Sequence, residues 1–296
     1  MGGWCDKEAV NYAELSWPQA DDLLRGDRPT VLLLPVGSTE PHGPHSPLCT
    51  DLVISLGMCR RAVERLRDDP ELRLAVLPPI PYAVTRYAGS FGGCIHIAED
   101  TLHALLVDVA QSLIVKGHRW IVLVNNHFEP EHVGALYRAI RTVKEETGVL
   151  VGYLDLTRKE RAQYLGEEFR RGECHAGRYE TALVLAERPE LVNTEVQMTL
   201  PYVPVNLVEV IGRGIKDFKD MGLEQAYCGE PAKATPEEGE AVYEVLTDML
   251  IGQIRAVIAG TAGCEAPGFY QRVGVGAEAG LRAPGLPRAQ EAESST

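Results

Sequence analysis

Aromatic residues make up only 6% of the 296 positions, and no apolar run approaches membrane-spanning length. The longest runs, such as Ile121-Val122-Leu123-Val124, fall far short of the roughly 20 residues a bilayer crossing needs. The first eight residues lack a basic start followed by an apolar stretch, so no secretory signal is expected. Cysteine is present but unpatterned: seven residues, at 5, 49, 59, 94, 174, 228 and 264, with no Cys-x-x-Cys pair. That scatter disfavours a disulfide framework and a cysteine-built structural zinc site, and fits reduced thiols in the cytoplasm. Positive charge is also short, with 29 Lys and Arg against 42 Asp and Glu, a net charge of -13. A nucleic-acid partner is therefore not expected, because a phosphate backbone needs clustered cations. A small-molecule substrate is left, and an anionic one stays open, since a bound dication reverses the local field.

What is present reads as an ordinary globular chain, 45% apolar and 24% charged, long enough to bury a sizeable core. Thr30 to Val36 is an apolar β-rich run and predicts a buried strand. Leu52 to Leu66 has helical spacing, with Asp51 where an N-cap would stand. Leu72 to Leu77 predicts a second strand, and residues 80 to 98, rich in Pro, Gly, Tyr and Ser, a loop near something functional. Ala98 to Val115 predicts an amphipathic helix, Trp120 to Val124 a strand, and Pro130 to Lys144 a helix with proline in its first turn. Val149 to Leu154 predicts a strand, Tyr179 to Glu187 a short helix and Glu237 to Ala259 a long one. This alternation implies an α/β fold, a single domain with a mainly parallel sheet covered by helices on both faces. The domain is expected over residues 1–260, and the Ala/Gly/Pro-rich stretch 261–296 is expected to be a mobile tail.

Two polar clusters follow directly from strands. Glu40-Pro41-His42-Gly43-Pro44-His45, with Asp51 nine residues after His42, follows the first. Asn125-Asn126-His127-Phe128-Glu129 follows the Trp120 strand. In a parallel sheet both emerge at the same edge, where ligand sites collect. Singly, each residue has a plainer role: Asp51 as a helix cap, Glu129 before Pro130 as a helix-dipole partner, His42 and His45 as turn residues. Together, Glu40, His42, Asp51, His127 and Glu129 offer two imidazoles and three carboxylates, a donor set suited to Zn²⁺ or Mn²⁺. Five donors exceed what one catalytic ion needs, and suit two ions sharing a carboxylate at about 3.5–4 Å. Asp51 is the natural bridge. In a third cluster, Glu173 to Thr181, His175 is a candidate acid/base or a surface histidine. Glu180 there is a catalytic candidate or a first-turn carboxylate serving the helix dipole.

At these residues the chain resembles the creatininase family. Leu34-Pro35-Val36-Gly37-Ser38-Thr39-Glu40-Pro41-His42-Gly43-Pro44-His45 with Thr50-Asp51 is similar to its opening signature. The Asn125 to Glu129 segment is similar to its second signature, and His175-Ala176-Gly177-Arg178-Tyr179-Glu180-Thr181 to its third. The resemblance implies an α/β domain assembling into homo-oligomers, commonly hexamers. It implies one ion on Glu40, Asp51 and His127 and another on His42, Asp51 and Glu129, with His175 touching substrate. The implied activity is metal-dependent amidohydrolysis, in which a metal-bridging water cleaves a C–N bond of an amide, cyclic amide or formamide. A related branch opens inositol-derived cyclic diketones at a C–C bond, and a metal-loaded binding protein without turnover is a further alternative. Substrate-side positions depart from creatininase: Arg171-Gly172-Glu173 stands where a tryptophan covers creatinine, Phe128 replaces a tyrosine, and Phe91-Gly92-Gly93-Cys94 replaces Phe-Pro-Gly-Thr. Creatinine itself is therefore not the expected substrate. Arg86 is a candidate anchor for an anionic substrate group, or a solvated side chain.

Overall fold

The structure, a computed structural model, describes residues 11–262. In chain order its main elements are α1 (Trp17–Arg25), β1 (Thr30–Val36), α2 (Thr50–Arg65), β2 (Arg73–Val76), α3 (Glu99–Val115), β3 (Trp120–Asn125) and α4 (Pro130–Thr147). They continue with β4 (Gly152–Tyr153), α5 (Lys159–Ala162), α6 (Glu167–Arg170), α7 (Arg178–Glu187), α8 (Thr194–Gln197), α9 (Leu207–Gly212) and α10 (Pro236–Ile258). The expected strands and helices form within a few residues of their predicted bounds. The strand expected over Val149 to Leu154 contracts to Gly152–Tyr153, because β4 pairs with β3 only at Val122 and Leu123. Helix α2 begins two residues earlier than expected, so Asp51 lies inside its first turn and Cys49 takes the cap position. The expected tail lies, from residue 263, outside the described residues.

The four strands pair in parallel in the order β2-β1-β3-β4. Alternate side chains of a strand face opposite ways, and β1 and β3 use this to build two cores. Leu32, Leu34 and Val36 of β1 join Ile121 and Leu123 of β3 on one face, under Leu102, Leu106 and Ile114 of α3 and Leu136 and Ile140 of α4. Val31 and Leu33 join Val122 and Val124 on the other, under Ile54 and Met58 of α2, Leu183 of α7 and Leu246, Leu250 and Ile254 of α10. Every residue of β1 is buried, as expected for a central parallel strand.

The strand order places the site. The chain leaves β1 to one side, through α2 to β2, then crosses back through α3 to β3 on the other side. β1 and β3 therefore flank the point where the winding reverses, and a crevice opens there at their carboxyl ends. Val36 and Asn125 are register partners, so the two segments carrying the polar clusters leave the sheet side by side.

Candidate metal centre

Four segments converge on that crevice. Glu40 and His42 come from the loop after β1, Asp51 from the first turn of α2, and His127 from the loop after β3. Glu180 comes from the first turn of α7. Gly37 permits the first convergence: a Cβ there would lie 2.8 Å from the Leu52 amide nitrogen and 3.1 Å from the Asp51 Cβ. Any larger residue would push α2, and Asp51 with it, off the strand end.

Asp51 sits between two imidazoles. Its Oδ1 lies 3.0 Å from His42 Nε2, and its Oδ2 lies 3.1 Å from His127 Nδ1. Glu40 Oε1 is 3.1 Å from the same His127 nitrogen, while the Thr85 hydroxyl donates to Glu40 Oε2. Glu180 Oε2 lies 3.6 Å from His42 Nε2. Its carboxylate accepts from the Ala176 amide at 2.6 Å and from Asn126 Nδ2 at 3.4 Å, and the Tyr179 hydroxyl donates to Asn126 Oδ1 at 3.1 Å. Ala176 holds a positive φ of 51°, a left-handed conformation that costs an alanine roughly 1–2 kcal/mol. The turn aims its amide at Glu180.

The second ring nitrogen of each histidine is committed to a backbone carbonyl. His42 Nδ1 donates to Glu40 O at 3.0 Å, His127 Nε2 to Val84 O at 2.8 Å, and His175 Nε2 to Pro41 O at 3.0 Å. A carbonyl only accepts, so each of these nitrogens carries a hydrogen. In the neutral ring the other nitrogen presents a lone pair, the arrangement that orients metal-ligating histidines. Burial alone would push His42 down, but Asp51, Glu180 and Glu40 hold it up at about 10. Burial opposes protonation of His127 as well, and the adjacent carboxylates Glu40 and Asp51 raise it. Burial would raise the Glu40 carboxyl, yet His127 holds it at about 2. Asp51 is depressed in the same way, its burial outweighed by His42 and His127. Imidazolium protons therefore balance the carboxylates in the protein alone.

A divalent cation fits this donor set. Glu40, Asp51 and Glu180 are 2%, 1% and 2% exposed, no lysine or arginine lines the cavity among the described residues, and Asp51 Oδ2 lacks a partner of hydrogen-bonding geometry. Carboxylates buried in that number need compensating positive charge, which a divalent cation would supply in place of the imidazolium protons. Donor atoms lie within 4.8 Å of one another in three groups: Glu40, Asp51 and His127; His42, Asp51 and Glu180; and Glu40, His42 and His175. Asp51 is common to the first two, one oxygen toward each imidazole.

Of the residues singled out from the sequence, Glu40, His42, Asp51, His127, His175 and Glu180 meet in these groups. Glu129 does not join a three-donor group among the described residues. It faces the same cavity, but its carboxylate accepts from the Arg86 amide at 2.8 Å and the Tyr87 amide at 3.3 Å. Burial pushes its pKa up to about 8. Burial likewise raises Glu180 to about 8. His175 is buried rather than on the surface, and burial together with the neighbouring His42 charge lowers it to about 4. The Arg86 side chain pairs with Glu99 at 3.0 Å, half exposed, and its amide, not its guanidinium, serves the site.

The cavity has a volume of about 40 Å³, room for a few water-sized occupants. Its polar floor is the donor cluster, and its walls are Tyr87, Phe128, Cys174, Leu207, Ile211 and Phe218. Thr85 and the Val84 carbonyl, unnoticed in the sequence, lie in the Pro/Gly-rich stretch expected to pass near the site. Phe218 carried no local signal.

A family model described as creatininase, creatinine amidohydrolase, matches residues 13–254. The chain is 30% identical over 231 residues to the mycofactocin precursor peptide peptidase of Mycobacterium tuberculosis (strain CDC 1551 / Oshkosh), covering 75% of this chain and 84% of that protein. It is 28% identical over 204 residues to the creatinine amidohydrolase of Pseudomonas putida, covering 64% of this chain and 75% of that one. Among solved structures, a crystal structure of creatinine amidohydrolase superposes with a TM-score of 0.66 at 24% identity, covering 86% of this chain and 99% of that chain. A structure described as creatininase Mn superposes with a TM-score of 0.63 at 24% identity, covering 83% and 98%.

Proposed function

The chain belongs to the creatininase family, and we propose that it hydrolyses an amide C–N bond at a site holding two divalent cations. The observation that carries this reading is Asp51, which presents one carboxylate oxygen to each of two imidazoles fixed from behind by backbone carbonyls. Glu40, Asp51 and His127 would hold one ion, and His42, Asp51 and Glu180 the other. Zn²⁺ and Mn²⁺ suit mixed nitrogen and oxygen donors, and solved relatives are described as manganese and Zn-Zn forms. Such a pair, when bound, supplies an acidified water and a Lewis acid for a carbonyl oxygen.

The chain's own residues do the rest. Glu129 faces the cavity with its carboxylate fixed by the Arg86 and Tyr87 amides, placed to accept a proton and return it to a departing nitrogen. His175 is an acceptor: its Nε2 hydrogen goes to Pro41 O, which leaves the Nδ1 lone pair for a water or a substrate N–H. The apolar walls exclude solvent and favour an amide flanked by an apolar group over a compact polar molecule such as creatinine. The relative cleaving a precursor peptide agrees with that preference.

The test is turnover of a panel of apolar N-acyl amides, short peptides, lactams, formamides and an inositol-derived diketone. It is run after exhaustive chelation and again after reloading with Mn²⁺ or Zn²⁺. Amide hydrolysis abolished by chelation and restored by metal is expected. Amide hydrolysis by metal-free protein, or turnover of the diketone alone, overturns the reading.

A further inference from the structure

Three rings meet pairwise at the donor cluster. His42 and His175 have centroids 4.5 Å apart with planes tilted by 38°, and Phe218 lies 4.4 Å from His175 at 39°. Phe218 thus packs against the imidazole whose free nitrogen serves the cavity. It is buried, and it meets Tyr87 edge-on at 6.3 Å, so it forms a wall of the cavity shared with Leu207 and Ile211 of α9.

The segment carrying Phe218 belongs to no helix or strand, and it is bounded by Gly214 and Gly222, with φ of 84° and 87°. A Cβ at either would meet no atom within 4 Å; the glycines serve backbone conformation rather than close packing. Between them the segment is fastened at a few points. The Phe218 amide donates to Tyr87 O at 2.8 Å, Ser90 donates to Asp217 at 3.0 Å, Lys216 pairs with Glu131 at 2.5 Å, and Lys219 lies 5.0 Å over the Phe91 ring. Three of these four are side-chain tethers, and the segment is otherwise held by the packing of Phe218 and Met221. The Phe218 ring occupies the space beside His175, where a group flanking a bound amide would lie.

We propose that Phe218 is a specificity-determining residue on a strap hinged at Gly214 and Gly222. The strap lifts the ring off His175 to admit substrate, and the ring then packs against the apolar group beside the scissile amide. This rests on the metal-centred reading above and adds to it the choice of substrate. Leu207 and Ile211 complete the same apolar wall, so the preferred group is aromatic or branched.

Two metal-directed probes separate the inference from the reading beneath it. Acetohydroxamate and phenylacetohydroxamate share a chelating head and differ by a phenyl group. On the metal-loaded protein, calorimetry is expected to give tighter binding of the phenyl probe. Phe218→Ala is expected to cut that preference about tenfold, the scale of a lost aromatic pair plus part of its buried area, with acetohydroxamate affinity unchanged. Phe218→Leu, which keeps an apolar filler, is expected to fall between. Hydrogen exchange supplies the second readout: residues 213–223 exchange faster than β1 in the free protein and become protected with the phenyl probe. Equal affinity for the two probes, a preference unchanged in Phe218→Ala, or exchange as slow as β1 throughout overturns the role of Phe218. Failure of acetohydroxamate to bind overturns the metal reading instead.

Discussion

His127 donates its Nε2 hydrogen to the carbonyl of Val84 at 2.8 Å, which turns its Nδ1 toward Glu40 and Asp51. His42 does the same in mirror order, giving its Nδ1 hydrogen to Glu40 O and turning Nε2 to Asp51 and Glu180. The backbone carbonyls fix which nitrogen keeps its hydrogen once the second proton gives way to a metal. In histidine-labelled, metal-loaded protein, nuclear magnetic resonance should show slowly exchanging hydrogens on Nε2 of His127 and Nδ1 of His42. Hydrogens on the opposite nitrogens would contradict the assignment.

Gly37 is where the sheet and Asp51 meet. Gly37→Ala puts a methyl against the Leu52 amide, inside the contact distances that real Cβ atoms tolerate. Displacement of the start of α2 is expected, with loss of bound metal and a drop in kcat/KM of about 100-fold or more, since small misplacements of reacting groups cost on that order. Elemental analysis and kinetics measure it, and a fully loaded, fully active variant would show that Asp51 has slack.

The Thr85 hydroxyl donates to the Glu40 oxygen that His127 does not face. Thr85→Val keeps the volume and removes the donor. Its expected effect is roughly 10–100-fold weaker metal binding, the usual scale for a lost partner of a ligand. A competition titration with a chelator reads this directly.

Protons and metal compete at the cluster, and the sign of the pH effect follows. In the metal-free protein His42 is held at about 10, above its ordinary value of 6.5, while Glu129 and Glu180 are raised from 4.5 to about 8. These three groups bind more protons in the folded chain than in the unfolded one. Buried histidines lowered below 6.5, His45, His132 and His175 among them, act the other way up to about pH 7. Above that the raised groups set the sign, and stability falls as pH rises toward about 10. The Glu129 and Glu180 contributions are complete below 4.5 and lost through about 8; that of His42 is complete below 6.5 and lost through about 10. Metal affinity runs the other way, rising with pH as the imidazolium protons leave. Melting temperatures of metal-free protein across about pH 7.5 to 9.5, beside metal titrations at the same pH values, should show opposite slopes; parallel slopes would contradict the account.

Much of this was legible in residue order. β1 and β3 are short apolar runs that end on polar clusters, and parallel topology alone brings Glu40 and His42 to the same edge as His127. That Glu180 joins a three-donor group and Glu129 does not was not legible, because it depends on rotations that sequence spacing does not encode. Glu129, at the start of α4, is drawn to the amides of Arg86 and Tyr87. Glu180 is turned inward by the left-handed Ala176 and by Asn126. Phe218 lies far along the chain from each motif, and only the folded strap brings it to His175.

Replacing one carboxyl at a time by its amide separates the two glutamates. Glu129→Gln is expected to keep its metal and lose about 100-fold or more in kcat, as a proton carrier would. Retained kcat would remove Glu129 from proton transfer.

The central claim is that Asp51 joins two three-residue groups into a site for two cations, one completed by His127 with Glu40 and the other by His42 with Glu180. Calorimetric titration of metal-free protein with Zn²⁺, run in parallel on Glu180→Gln, tests it most directly. Two ions per wild-type chain and one in Glu180→Gln is the expected result. No saturable binding, or the same stoichiometry in both proteins, would contradict it.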